Sequence, residues 1–373
     1  MPSSASVSAD RGPLHDALCS ALRGEDGQLS RGVLDLARFH RVHLLLAHGR
    51  LGRIEDDGIR AGWSAELREA AIADLFRERE LTRMLRGLAA AGIDALLMKG
   101  AALAYSLYAA PHLRPRADLD VLIARSDLEA ADRVLLAAGW LHAPEQSHDS
   151  VMTQRHYLLG GNPSCAEHLD LHWKIAVPHV FGDALAFGEL AARAVPLPAL
   201  GPDARILSPP DALFLACLHR VAHHHDSADL LWLWDIHLLT ATLTKEERTV
   251  FAALAAARSM RAVCSRGIEL ACERFATSGA DALLGSLRPR AGDAPEPSAR
   301  FLGGGMREVD RLRSDLAAVG GWRARLTLVS AHLFPGGDYV RSLYPRWPAV
   351  ALPLAYVHRA LRGAPAWFRR PAE

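Results

Sequence analysis

The sequence predicts an α+β protein in which a mixed sheet core is flanked by helical regions at both ends. Apolar residues recur at helical spacing before residue 92 and again after residue 176. Between those limits the apolar runs are short, alternate with a period of two, and are bounded by glycine, proline and polar residues. The 373 residues also exceed what one hydrophobic core usually organises. The expected division is a helical region at 1–92, a sheet core at 93–176, a helical domain at 177–277, a linker at 278–300 and a helical region at 301–373.

Residues 1–12 are small and polar and carry no packing signal. Leu14 to Gly92 reads as helix, most clearly from Ala73 to Ala91, where Leu75, Leu81, Leu85 and Leu88 lie near helical spacing and Gly92 offers a stop. Asp94 to Lys99 reads as a strand, Ala101 to Ala109 as a helix, and Pro111 to Pro115 as a loop feeding a second strand, Asp118 to Ala124. Ser126 and Glu129 have the spacing of a capping box for the next helix, and Gly139 follows its last turn. Ser150 to Leu159 and Ala166 to Ile175 are strand-like runs joined by a hairpin loop, Gly160-Gly161-Asn162-Pro163-Ser164. A Pro- and Gly-rich crossing over about 196–210 leads to Ser208-Pro209-Pro210-Asp211, a helix start with an acid placed to complete a cap. That helix runs to about His224, and another begins near Ala228 and carries Trp232, Trp234 and Asp235. Residues 278–300 mix Gly, Pro and charge with little periodicity, as linkers do.

Composition excludes several classes. The net charge is +1, from 43 basic and 42 acidic side chains, so nothing global draws the chain onto nucleic acid and any polyanion site must be local. No apolar run reaches the roughly 18 to 20 residues that span a bilayer, and the amino terminus lacks the features of a signal peptide, so no membrane insertion and a cytoplasmic location are expected. Five cysteines without a CxxC pattern suit reduced thiols better than a disulfide frame.

The chemistry concentrates at Asp118-Leu119-Asp120. Two carboxylates separated by one apolar residue point to the same side of a strand, and the following Val-Leu-Ile marks that strand as core. Buried acids are costly without a cation, and a divalent metal is the natural partner. Upstream, Leu96-Leu97-Met98-Lys99-Gly100-Ala101 is an apolar strand ending in lysine and glycine before a helix, a pattern suited to phosphate. In Glu167-His168-Leu169-Asp170-Leu171-His172-Trp173-Lys174, alternation puts His168, Asp170 and His172 on one face. If this strand lies beside Asp118 with its polar face turned the same way, three carboxylates converge. Two then suffice to hold Mg2+, or Mn2+, against a triphosphate, and the third binds a second ion or takes a proton from an attacking hydroxyl.

The plainer readings are an acidic edge strand blunting aggregation, a lysine that merely ends a strand or pairs with an acid, and loop arginines that solvate or pair with Asp118.

MKGAALAYSLY, then RPRADLDVLI, then HLDLHWKI is similar to the bacterial uncharacterised nucleotidyltransferases, a group of the superfamily related to DNA polymerase beta. The likeness is close over about residues 90–176 and looser to about 245. It implies a nucleotidyltransferase-type core that uses an NTP. Asp118 and Asp120 become metal ligands, Asp170 the third carboxylate, and Gly100 the residue whose backbone approaches the triphosphate. Lys99, Arg114 and Arg116 neutralise phosphate charge. His172 and Lys174 are candidates for nucleotide contact, and His223 and Asp235, from the helices that follow, for closing over the base. Lys-Gly stands here where polymerases read Gly-Ser, which removes a hydroxyl that would bind phosphate.

The implied acceptor is a small molecule, an RNA end, a protein or a peptide. Two other classes fit the same residues: a nucleotide-binding, antitoxin-like module without turnover, and a glycosyltransferase that uses DxD to hold a nucleotide sugar. The second wants alternating strands and helices ahead of the DxD, where this chain reads as helix. His219 and His223 lie one helical turn apart, but the Glu of a metalloprotease motif and a third ligand at fixed spacing are missing, so packing or capping is the expected role of His219 to His225. The stretch from Tyr344 to Arg370 joins aromatic and basic residues in an interfacial pattern that four prolines interrupt, and packing on the helical domain is expected.

Overall fold

The computed structural model describes residues 11–27, 29–143, 153–160, 167–289, 292–303 and 305–368. Helices α1 (Arg11–Leu22), α2 (Arg31–Phe39), α3 (His43–Arg50) and α4 (Asp57–Ala90) occupy the region before the sheet. Ser30 and Asp56 cap α2 and α4 by accepting from the backbone N–H groups of Val33 and Ile59. With 34 residues, α4 is about 50 Å long, and its second half buries Leu81, Met84, Leu85 and Leu88. Leu75 of the sequence stripe is 66% exposed, with Ile72 and Phe76 beside it.

The sheet contains β1 (Ala95–Met98), β2 (Asp118–Ile123), β3 (Leu141–His142), β4 (Gln154–Leu159), β5 (Glu167–His172), β6 (Val195–Pro196) and β7 (Arg205–Ile206). Their order is β3-β4-β5-β2-β1-β7-β6. The β2–β5 and β1–β7 pairings are parallel and the others antiparallel, so the α+β expectation with a mixed sheet holds. The expected sheet ended at residue 176, but β6 and β7 lie beyond it, in the Pro- and Gly-rich crossing. Two-residue strands are too short to show alternation. Most of the expected hairpin loop, 161–164, lies outside the described residues, as do Ser150 and Ala166 at the strand ends.

Alternation divides the sheet's side chains between two cores. Leu97, Leu119, Val121, Tyr157, Leu169 and Leu171 face the second half of α4. β1 runs directly into α5 (Lys99–Ser106), and α6 (Leu128–Ala137), after β2, adds Leu128, Ala131 and Leu135 to that layer. Ser126 does not cap α6. Its hydroxyl donates to Asp127, a short 3-10 turn over Arg125–Asp127 precedes the helix, and Glu129 pairs with Arg155 instead.

The opposite face carries Leu96, Met98 and Leu122 and packs on helices. These are α7 (His179–Gly182), α8 (Phe187–Arg193), α9 (Pro209–Ala222), α10 (Leu230–Thr242), α11 (Lys245–Ala257), α12 (Arg261–Phe275) and α13 (Ala280–Leu287). Leu18, Val33, Leu46 and Trp63 from the first helices share a core with Phe214, Leu218, Ile236 and Ile268. Ser208 precedes α9, but its hydroxyl donates to Asp211 at 2.6 Å, and Asp211 also receives Arg193 in a two-pronged pair. Where periodicity was weak over 278–300, α13 buries Ala280, Leu283 and Leu287, a stripe too short to read reliably. Of the five cysteines, Cys19, Cys217, Cys264 and Cys272 are free thiols, and Cys165 lies outside the described residues.

The remainder forms α14 (Glu308–Ala318), α15 (Trp322–Leu333), α16 (Gly337–Leu343) and α17 (Leu352–Phe368). α14 joins the rest through Asp315, which accepts the His179 backbone N–H at 2.6 Å. Leu354, Val357 and Leu361 of α17 are exposed. Among the described residues no helix is long and apolar enough to cross a membrane.

Candidate functional site

Strand register builds the site. β2 and β5 run parallel with Asp118 opposite His168, Asp120 opposite Asp170 and Leu122 opposite His172, and antiparallel β4 sets His156 opposite Asp170. Residues opposite one another share a face, so Asp118, Asp120, Asp170, His172, Gln154 and His156 all project from the side that packs on α9 and α10.

Asp120 is the hub. Its Oδ1 accepts the Lys99 ammonium at 2.7 Å and lies 2.8 Å from His172 Nε2, and Lys99 Nζ is 3.4 Å from that nitrogen. Lys99 sits at the β1–α5 junction with φ +52°, a left-handed backbone that costs a non-glycine residue roughly 1 kcal/mol and turns its side chain across the strand ends. Burial alone would raise the Asp120 pKa, but Lys99 and the His172 hydrogen bond outweigh it and hold the carboxyl well below the usual carboxylate range. His172 is fully buried, and burial together with Lys99 lowers its pKa. The neutral ring donates from Nε2 to Asp120, an assignment made from the network, so Nδ1 is a buried acceptor without a partner among the described residues.

Asp118 contrasts with its neighbour. Among the described residues its carboxylate has no hydrogen-bond partner, and burial, Asp120 and Asp170 push its pKa up from an ordinary 3.8 to about 6. Asp170 is held on both oxygens, by Gln154 Nε2 at 2.8 Å and His156 Nδ1 at 2.7 Å. One ligand atom each from Asp120, Asp170 and His172 lie within 4.8 Å of one another. Asp118 is outside that trio, beside Asp120 on the same strand face. The carboxylate oxygens of Asp118, Asp120 and Asp170 form a donor set of hard oxygens, which fits Mg2+ or Mn2+.

The predicted cations are bound up with acids. Arg114 is buried and clamps Asp235 of α10 with Nη2 at 2.6 Å and Nε at 3.4 Å, and Tyr108 donates to the same carboxylate at 2.7 Å. Arg116, with a side chain 1% exposed, pairs with Asp74 of α4 and stacks over Tyr105 at 5.2 Å. Lys174 pairs with Asp183 at 2.6 Å on the α7 side and is not among the residues that line the cavity described below. Gly100 is buried directly beneath Arg114, where an added Cβ would come 2.6 Å from Nη1. The glycine accommodates this guanidinium as well as any phosphate.

The site borders a cavity of about 670 Å³. α5, α9 and α10 wall it, and Lys99, Gly100, Asp118, Asp120 and Asp170 lie on its surface with Arg114, Arg116, His223 and Asp235. His219 lies 3.1 Å from His224 between ring nitrogens, and His224 stacks on Trp232 with centroids 3.6 Å apart. Burial, Lys99 and His172 push the His223 pKa down to about 3, and its buried Nε2 has no partner among the described residues. The three histidines are thus neutral, packed groups. Arg41, Lys99, Arg114 and Arg116 are the basic side chains on the cavity wall other than histidine, and each is ion-paired, with Asp229, Asp120, Asp235 and Asp74.

Sequence reading missed Gln154 and His156, which hold Asp170. Arg155 between them breaks any apolar alternation, so the strand's sequence, QRHYLL, did not mark which polar side chains face the acids. Asp74 and Tyr108 carried no signal either, because a helix residue and a loop tyrosine reveal their partners only in three dimensions.

Residues 29–276, more than half of the chain, match the sequence model of a family described as "Uncharacterised nucleotidyltransferase". No curated protein matches the chain.

Proposed function

This chain belongs to the uncharacterised nucleotidyltransferase family, and from that membership we propose that it moves a nucleoside monophosphate from an NTP to a hydroxyl or phosphate acceptor, with Mg2+ as cofactor and Mn2+ as its substitute. The observation that carries this reading is the in-register pair Asp120–Asp170 with unpartnered Asp118 beside it on a cavity wall. When bound, the metal supplies positive charge to the triphosphate and to the charge developing on the leaving pyrophosphate. It is needed for more than chemistry. Among the described residues every lysine and arginine on the wall has an acidic partner, so a polyphosphate meets no unpaired cation among them.

Asp118 and the free oxygen of Asp120 are the first-choice ligands. Asp170, fixed by Gln154 and His156, completes the set or accepts the acceptor's proton. Lys99 and His172 orient Asp120 by holding its Oδ1, which leaves Oδ2 as the oxygen to offer to the metal. The reaction joins the acceptor oxygen to the α-phosphorus and breaks the bond from that phosphorus to the bridging β-phosphate oxygen. The proton passes to a carboxylate. Arg114 and Arg116 act through the loop they brace, holding Gly100 and the start of α5 at the phosphate end.

The Lys99–Asp120 pair favours a second reading, a module that binds nucleotide without turnover, because it occupies an oxygen that an active site would offer to metal. Incubation with NTP labelled at the α-phosphorus and with small-molecule, RNA and protein acceptor fractions separates the two. Transfer of label with pyrophosphate release, lost in Asp118→Asn and Asp120→Asn, supports the enzyme. Metal-dependent NTP binding without pyrophosphate supports the binding module. Turnover unchanged in both variants overturns the site assignment.

A further inference from the structure

We propose that Lys99 serves as a built-in cation, so that the site takes one divalent ion where a two-metal transferase takes a pair. The inference rests on the metal-dependent reading above and deepens it by fixing how many ions the carboxylates accept.

Three observations carry it. The Lys99 ammonium contacts Asp120 Oδ1 at 2.7 Å, and His172 approaches the same oxygen at 2.8 Å, so that oxygen has its full complement of donors. The Lys99 side chain is 11% exposed and that of Asp120 6%, which places the ammonium inside the site and gives it little solvent to retreat to. The left-handed backbone at Lys99 is maintained although the next residue is glycine and could have taken the strained position. The fold accepts that strain to aim this side chain at Asp120.

Charge and hydrogen bonding agree. Asp118, Asp120 and Asp170 bring three negative charges when ionised, and Lys99 returns one, leaving a deficit of two. One divalent ion cancels it, whereas two would leave the cluster positive before any phosphate arrived. Among the described residues the site's carboxylate oxygens without hydrogen-bond partners belong to Asp118 and to Oδ2 of Asp120. A second ion bridging Asp120 Oδ1 would have to displace the ammonium. Of the two other acids, Asp170 is already held by Gln154 and His156, and Asp118 is the carboxylate left for the first ion, so a displaced ammonium would compete with that ion for Asp118.

The test counts ions. Mn2+ bound per chain is measured by electron paramagnetic resonance in the presence of an α,β-methylene NTP, for the full-length wild type and for Lys99→Met. Wild type is expected to bind one ion and Lys99→Met two, with Lys99→Arg returning to one. Two ions in the wild type, or one in a folded Lys99→Met, overturns the built-in cation and leaves the transferase reading standing. Analogue binding with no Mn2+ in either protein overturns the metal-dependent reading itself. The wild-type count stands even if the Met variant fails to fold.

Discussion

Replacing Asp118 by asparagine should stabilise the metal-free protein while removing its response to Mg2+. The carboxyl titrates at about 6 in the fold against an ordinary 3.8, so ionising it in place opposes folding. About two pKa units at ~1.36 kcal/mol each give about 3 kcal/mol, and partial contact with solvent lowers the expected gain to about 1–3 kcal/mol. The sign follows from which state binds the proton more tightly. Below about pH 4 the group is protonated folded and unfolded, and variant and wild type should match. Between about 4 and 6 the unfolded chain ionises first, the wild type loses stability, and the gap opens. Above 6 it is constant. Denaturant unfolding in chelator across that range measures the gap, and repeating it with Mg2+ should stabilise the wild type, by about 2.7 kcal/mol at a hundred times Kd, and the variant hardly at all. An Asp118→Asn protein less stable than wild type at pH 8, or a gap that does not change with pH, would refute the reasoning.

Gly100→Ala places a methyl 2.6 Å from Arg114 Nη1 and should cost about 1–3 kcal/mol in thermal unfolding, because the guanidinium must leave its fit on Asp235. A crystal structure of that variant with the Arg114–Asp235 pair intact, at unchanged stability, would contradict this. Arg114→Met strands a buried Asp235 and should lose about 3–5 kcal/mol, while the Arg114→Met/Asp235→Leu double variant recovers most of it; additive losses would show the two are not coupled. His223, held near 3 by burial, Lys99 and His172, stays neutral at any working pH. His223→Gln should therefore leave the shape of the pH–rate profile between 5 and 8 unchanged, and disappearance of a limb in that range would refute it.

The fold and the carboxylates were legible for the same reason. Alternation in DLDVLI and EHLDLH states which face each acid occupies, and neighbouring parallel strands make equal faces meet. What the sequence withheld was the identity of each cation's partner. Arg114 and Arg116 read as phosphate binders and Lys174 as a nucleotide contact because a sequence shows charge, whereas the acids they pair with, Asp235, Asp74 and Asp183, are visible only in the fold. The short strands β6 and β7 and the helix α13 lay below the length at which periodicity distinguishes structure from linker.

The loop between α5 and β2 has a consequence for modularity. Arg116 anchors it to α4 before the sheet and Arg114 anchors it to α10 after the sheet, 121 residues further along the chain from Arg114 to Asp235. A fragment cut at 93 and 176 would retain all three acids and both arginines and lose both anchors. It would present two guanidiniums without their carboxylates and an apolar sheet face without its cover. The acidic motif is therefore not a portable cassette: grafting or truncation has to carry α4 and α10 with it, and the smallest heritable unit of this site is larger than its sheet.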